Sequence, residues 1–297
     1  MAKKQSSLEM KLNQSKAGKA FDVFNYVFFT LWALLMMTPL MYVLIGSFST
    51  TGFTYLKFGE FTLEAYTSIF KSARTMGALR NSMIITVVGT VIRVACTTMT
   101  AYVLSKKFLP GHGAMMAVVM FFYLFNLGLI PDYIVEANVY GLKNTWWALW
   151  LKGAIGSSNL IVMMNFFRNL PAGVEESACI DGCNEAQSFL YIALPMSKAA
   201  IATFTLFYAV DMWNEYLKSI IYIDNADMWP ITVWLRQFIV MSQGNMLEDI
   251  SDYVEAWLPS NAVKFATIMV STIPIIMIYP FLQKHFAKGV MVGSIKG

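Results

Sequence analysis

Apolar residues in this chain come in long runs, and run length is what sets the elements. A membrane's hydrocarbon core, about 30 Å thick, takes about 20 mainly apolar helical residues per crossing. Stretches 23–48, 81–104, 114–130, 145–167, 199–221 and 262–281 answer that demand. The third is short, and Lys152 with the segment 153–159 interrupts the fourth. Alternating strands of about ten residues, the signature of a membrane β-barrel, do not recur. The pattern predicts an all-α polytopic membrane helical bundle with six transmembrane helices. It divides the chain into an amino-terminal segment 1–22, a membrane domain 23–283 and a tail 284–297.

Composition agrees. Only 13% of residues are charged and 57% are hydrophobic, with mean hydropathy +0.54; soluble domains average about 25% charged. Two His and three Cys rule out a disulfide scaffold and leave little for a metal site. A dispersed net charge of +4 does not fit a nucleic-acid binder.

Charge also sets orientation. Lys3, Lys4, Lys11, Lys16 and Lys19 precede the first run, and cytoplasmic segments collect lysine and arginine. That run is too long for a signal peptide and lacks a small-x-small cleavage site. With the amino terminus inside, Lys106, Lys107, Arg168 and Lys198 also fall inside, as do Lys284, Lys288 and Lys296. Both termini are expected in the cytoplasm. Asp132 and Glu136 then belong to an outer connection. The outer loop 222–261 carries Asp224, Asp227, Glu248, Asp249, Asp252 and Glu255 against Arg236 alone.

No phosphate-binding G-x-x-x-x-G-K-[ST] loop and no H-E-x-x-H occurs. Cys179 and Cys183 stand four apart, not as a C-x-x-C redox pair. No catalytic set emerges.

Two polar features remain. In the inner connection 168–198, Pro171 and Gly173 disrupt what precedes them, and Glu175 and Glu176 suit the start of a helix. Gly182 permits a turn, Asn184 caps a second helix, and Pro195 ends it. From the residues alone, a docking element and a plain interfacial loop both stay open. In the fifth stretch, Asp211, Asn214, Glu215 and Lys218 share one helical face, which Phe207 and Tyr208 extend. Charges at membrane depth face the bundle interior and seek partners. Arg93, midway along the second stretch, is therefore expected to pair with Asp211 or Glu215. These groups either line a translocation path or neutralise one another.

Glu176, Ala178, Asp181, Gly182, Leu194 and Pro195 stand as in the EAA loop of bacterial ABC-importer permeases, with Ser177 and Cys183 as small replacements. Arg80-Asn81-Ser82, Trp213-Asn214-Glu215-Tyr216 and the tail from Lys288 to Gly297 extend the likeness to nearly the whole chain. They resemble the carbohydrate-uptake branch, the MalG-related subunit and its LplC/YtcP-type relatives. The resemblance implies a type I ABC importer permease fold in the bacterial cytoplasmic membrane. It implies a second homologous permease, two ATPase subunits that bind ATP and magnesium, and an extracytoplasmic solute-binding protein. This chain would hold no cofactor and perform no covalent chemistry.

By the same resemblance, Glu175, Glu176, Ser177, Ala178, Asp181, Gly182, Leu194 and Pro195 couple to an ATPase. Lys288, Gly289, Gly293 and Lys296 form a second ATPase contact. Arg93, Tyr208, Asp211, Asn214 and Glu215 are translocation-path candidates for an oligosaccharide. Trp229, Trp234, Phe238 and Trp257 are docking candidates for the binding protein. Neutral and uronate-containing saccharides both stay open, because a net-negative outer loop does not favour an anion. The rival is an ion- or proton-coupled secondary transporter using Arg93, Asp211 and Glu215.

Overall fold

The computed structural model describes residues 16–50, 59–125, 128–243 and 261–294. Within them the chain is almost wholly helical. The first, second and sixth apolar runs form the single helices α1 (Lys16–Ser47), α3 (Ala73–Ser105) and α13 (Asn261–Ser294). Segments Gly18–Ser47, Ala73–Ser105 and Asn261–Ile278 are long and apolar enough to cross a membrane. Counting each bent helix pair as one crossing raises the total to five among the described residues. Between α1 and α3 lies the short α2 (Glu64–Lys71).

The other three runs are broken. The third gives α4 (His112–Leu124) and α5 (Leu129–Ile134), the latter widening into a π turn over Val135–Val139. Asp132 and Glu136 thus sit on a helix, not in an outer loop. The fourth divides into α6 (Trp147–Leu151) and α7 (Ser157–Arg168). Lys152 turns extended at ψ 113° and Gly153 takes φ +75°, a region that favours glycine. The fifth gives α10 (Lys198–Trp213) and α11 (Leu217–Tyr222). Asn214 ends α10 by donating its side-chain amide to Val210 O at 2.9 Å. The carboxylate of Glu215 then accepts the Lys218 N–H at 3.1 Å and helps start α11.

Two compact units emerge, residues 1–67 with 259–269, and residues 68–258 with 270–297. In the first, α1 leaves Leu31, Trp32 and Leu35 exposed, as lipid-facing side chains would be. After α1, Phe48 stacks on Phe61 at 5.5 Å, and the Ser47 and Tyr66 hydroxyls meet at 2.7 Å.

The second unit is organised on α3, against which α7 and α10 pack. Its buried stripe steps by four residues: Ile85, Gly89, Arg93, Thr97, Ala101. Gly89 leaves room for the close approach, since a Cβ there would press on the Met212 side chain. Tyr102, Leu160, Met163, Phe167, Phe204 and Tyr208 fill the core beside this stripe. The Asn81 and Ser82 side chains, at the other end, clamp the segment after α11. Asn81 donates to Asp227 O (2.7 Å) and Trp229 O (3.1 Å), and Ser82 accepts from the Ile231 N–H (2.7 Å), opening α12 (Ile231–Gln243).

Candidate functional site

At the centre of α3, Arg93 is 3% exposed and is ion-paired with Asp211 of α10, as its depth demanded. Its other terminal nitrogen donates to the Lys152 carbonyl at 3.0 Å, so the break after α6 supplies a second acceptor. Tyr208 closes the site. Its ring lies 6.0 Å from the guanidinium carbon, and its hydroxyl meets that of Thr97 at 2.8 Å.

The ammonium of Lys152 forms a second node. It pairs with Asp132 (3.3 Å) and Glu136 (3.6 Å) and donates to the Tyr222 hydroxyl at 3.3 Å. One residue thus joins two ion-pair nodes, through its backbone to Arg93 and through its side chain to α5. The pairing with Asp132 and Glu136 escaped sequence reasoning. Its available signal was a lysine inside an apolar run, opposite two carboxylates one helical turn apart. Farther along, Lys143 pairs with Asp224 at 3.0 Å, and that hydrogen bond with the nearby charge raises the lysine pKa.

The expected stripe on the fifth run does not form as one face, because the helix ends at Trp213. Asn214 and Glu215 serve the break itself, with Glu215 also paired to Lys218 at 2.8 Å. Asp211 and Tyr208 come together at Arg93; Asn214 and Glu215 serve α10 and α11.

The inner connection builds the expected helix–turn–helix. Helix α8 (Ala172–Ile180) leads to Gly182 at φ +86°. Asn184 then caps α9 (Glu185–Ser188) in a reciprocal box with Gln187, both bonds 2.9 Å. A π turn over Phe189–Ala193 follows, then Leu194–Met196, before an 81° bend into α10. Pro195 was expected to end the helix, but the chain turns only after Met196. A proline inside a regular helix forfeits an i→i−4 bond, and here a wider turn precedes it. Glu176, Ser177, Asp181 and Gly182 are exposed, and Ala178 is buried; the side chain of Glu175 lies outside the described residues.

Of the docking candidates, Trp229 and Trp234 are half-buried and donate internally, to Ile223 O (2.8 Å) and Thr75 Oγ1 (3.2 Å). The side chain of Phe238 and all of Trp257 lie outside the described residues. Lys288, Gly289 and Gly293 fall on the helical backbone of α13, while Lys296 is outside.

No protein-family profile matches the chain. Individual relatives do. Protein LplC of Bacillus subtilis (strain 168) is 41% identical over 294 residues, 96% of this chain and 98% of that protein. The chain belongs to the sugar ABC-importer permeases. The polygalacturonan/rhamnogalacturonan transport system permease protein YtcP of the same organism is also 41% identical, over 94% of this chain and 99% of that one. Among solved structures, a chain of a bacterial ABC transporter involved in the import of the acidic polysaccharide alginate superposes with a TM-score of 0.82. It is 28% identical and covers 92% of this chain and 99% of its own length. As a permease of this family, the protein is a membrane transport component rather than an enzyme.

Proposed function

We propose that this permease serves an ATP-driven importer of oligosaccharides and transmits ATPase closure to the membrane helices through α8 and α9. The observation that carries the reading is the exposed helical hairpin, with Glu176 and Asp181 outward and Gly182 at its turn. Acidic side chains there suit basic groups on an ATPase, and the small residues permit close packing. A capped hairpin held by the core through Ala193 and Phe189 moves as one lever. ATP and magnesium stay on the two ATPase partners. A second homologous permease completes the pathway, and a solute-binding protein delivers the sugar to the outer face, where Trp229, Trp234, Phe238 and Trp257 remain the candidate anchors. Both termini lie in the cytoplasm, with residues 284–297 forming the second ATPase contact.

Uronate-bearing oligosaccharides are the preferred cargo, because YtcP is a polygalacturonan/rhamnogalacturonan permease and the superposed structure belongs to an importer of the acidic polysaccharide alginate. The ion-driven rival gains nothing from family membership. Arg93 and Asp211 fit better as a neutralising pair, since Asp211 supplies the counter-charge of the buried arginine. Co-purification from membranes is the test. An ATPase retained by the wild type, with uptake lost in Glu176→Lys and Gly182→Val, supports coupling. Uptake by the purified single chain on an ion gradient overturns it.

A further inference from the structure

Between α3 and α4 runs an apolar groove of about 420 Å³, lined by Met99, Val103, Leu104, Met115, Val118 and Val119. Its volume lies within the range of about 300–1,000 Å³ typical of small-ligand sites. At one end the lining gives way to positive charge. The Leu104 carbonyl accepts from Arg168 Nη2 at 3.3 Å, and the exposed Lys107 follows; the Lys106 ammonium lies 4.7 Å from the Tyr102 ring centroid. The same Arg168 nitrogen meets His112 Nε2 at 3.4 Å. Arg168 Nε and His112 Nδ1 are buried atoms without hydrogen-bond partners. Helix α4 starts there on Gly111, with no side-chain cap, so its first-turn N–H groups add positive potential.

We infer that this groove binds an anionic glycerophospholipid. An acyl chain lies along Met99, Val103 and Val118, and the phosphate meets Lys107, Arg168, His112 and the amino end of α4. Complementarity of both halves selects the occupant. A hydrocarbon tail satisfies the apolar lining, and a phosphodiester with no balancing ammonium satisfies the basic end better than a zwitterionic headgroup does. A second permease helix covers apolar surface but offers nothing that requires the cationic cluster. The inference takes from the proposed function only that residues 105–112 face the cytoplasm, the leaflet side where basic residues collect.

The test uses the assembled transporter in phosphatidylcholine nanodiscs doped with phosphatidylglycerol, with lipids retained after detergent extraction counted by native mass spectrometry. Phosphatidylglycerol is expected to be retained over phosphatidylcholine. Lys107→Gln should lower that preference about fivefold, at about 1 kcal/mol per basic side chain. Val118→Trp, which fills the groove and leaves the charges, should release both lipids. With Val118 in place, a photo-crosslinker at Met115 should label phosphatidylglycerol; labelling of a polypeptide overturns the inference. Equal retention of the two lipids, or retention unchanged in both variants, overturns it as well. Labelling of Lys107→Cys by an impermeant maleimide in inside-out vesicles checks the cytoplasmic placement separately, so a wrong orientation is told apart from an unoccupied groove.

Discussion

The α8–α9 hairpin and the Arg93–Lys152 network are both polar, and they are built on opposite plans. The hairpin turns its charges outward and closes its hydrogen bonds within three residues, as Asn184 and Gln187 do. The network gathers around a buried arginine and joins residues far apart in sequence, from Arg93 on α3 to Asp211 on α10 and to the break at Lys152. One region is available to a partner; the other pairs its charges among its own helices. That difference separates a surface open to a partner from a joint between helices α3 and α10. It also places the expected mutational damage, greatest in the network and least at exposed pairs.

Asp211→Ala should be the most destructive single change. It strips the counter-charge from an arginine that is 3% exposed; the Asp211 side chain is itself 59% exposed, which brings the cost below the about 3–5 kcal/mol of a fully buried pair. The permease should fail to accumulate in membranes, measured by immunoblot and by thermal unfolding of whatever assembles. Removing both charges, Arg93→Met with Asp211→Leu, should recover most of the loss. Assembly of Asp211→Ala at wild-type yield and stability would show that the network does not hold the helices.

Lys152→Met comes next. It leaves Asp132 and Glu136 one turn apart on α5 with no shared cation, at side-chain exposures of 31% and 19%. A cost of about 1–3 kcal/mol follows for partly buried groups that lose their partner, read as a lower melting temperature of the assembled transporter. Lys152→Arg, which keeps the charge, should stay closer to wild type.

The two regions also differ in how far the sequence exposes them. The hairpin's logic is local. Gly182, Asn184 and two carboxylates state their roles within a few positions, so its turn and cap are readable, and only the continuation past Pro195 is not. The network is legible as a need rather than as a geometry. A lone arginine within an apolar run must find an acid, and Asp211 was one of two choices. Lys152 shows where that reasoning stops. Its carbonyl reaches Arg93 only because the chain breaks at Gly153, a backbone event that a hydropathy window smooths over. The same smoothing hides the stop at Asn214, whose side chain turns back to cap α10 instead of continuing a polar face. Pattern carries element existence, therefore, while breaks made by single side chains need the packed structure.

Asn184→Ala probes the hairpin at lower cost. Loss of the reciprocal cap should remove about 1 kcal/mol locally, seen as faster amide exchange over Glu185–Ser188 with global melting almost unchanged. Uptake should fall more than stability does, because a frayed α9 no longer moves as a lever. Global destabilisation matching that of Lys152→Met would erase the distinction between a surface lever and a buried joint.

The smallest effect belongs to the Lys143–Asp224 pair, 3.0 Å apart and at 47% and 63% side-chain exposure. Water screens such a contact and takes back most of what it gives. Its pKa direction supplies an independent check. A lysine raised by its hydrogen bond to Asp224 contributes stability that is fully present below the ordinary lysine value of about 10.4, and that is lost as pH rises through the higher folded value. Nothing should therefore change between about pH 6 and 9. Lys143→Gln should melt close to wild type, with a small offset that stays constant throughout that range and disappears in alkaline solution. A clear loss at neutral pH would mean that this outer pair is built into the joint with Lys152, rather than resting on its solvated edge.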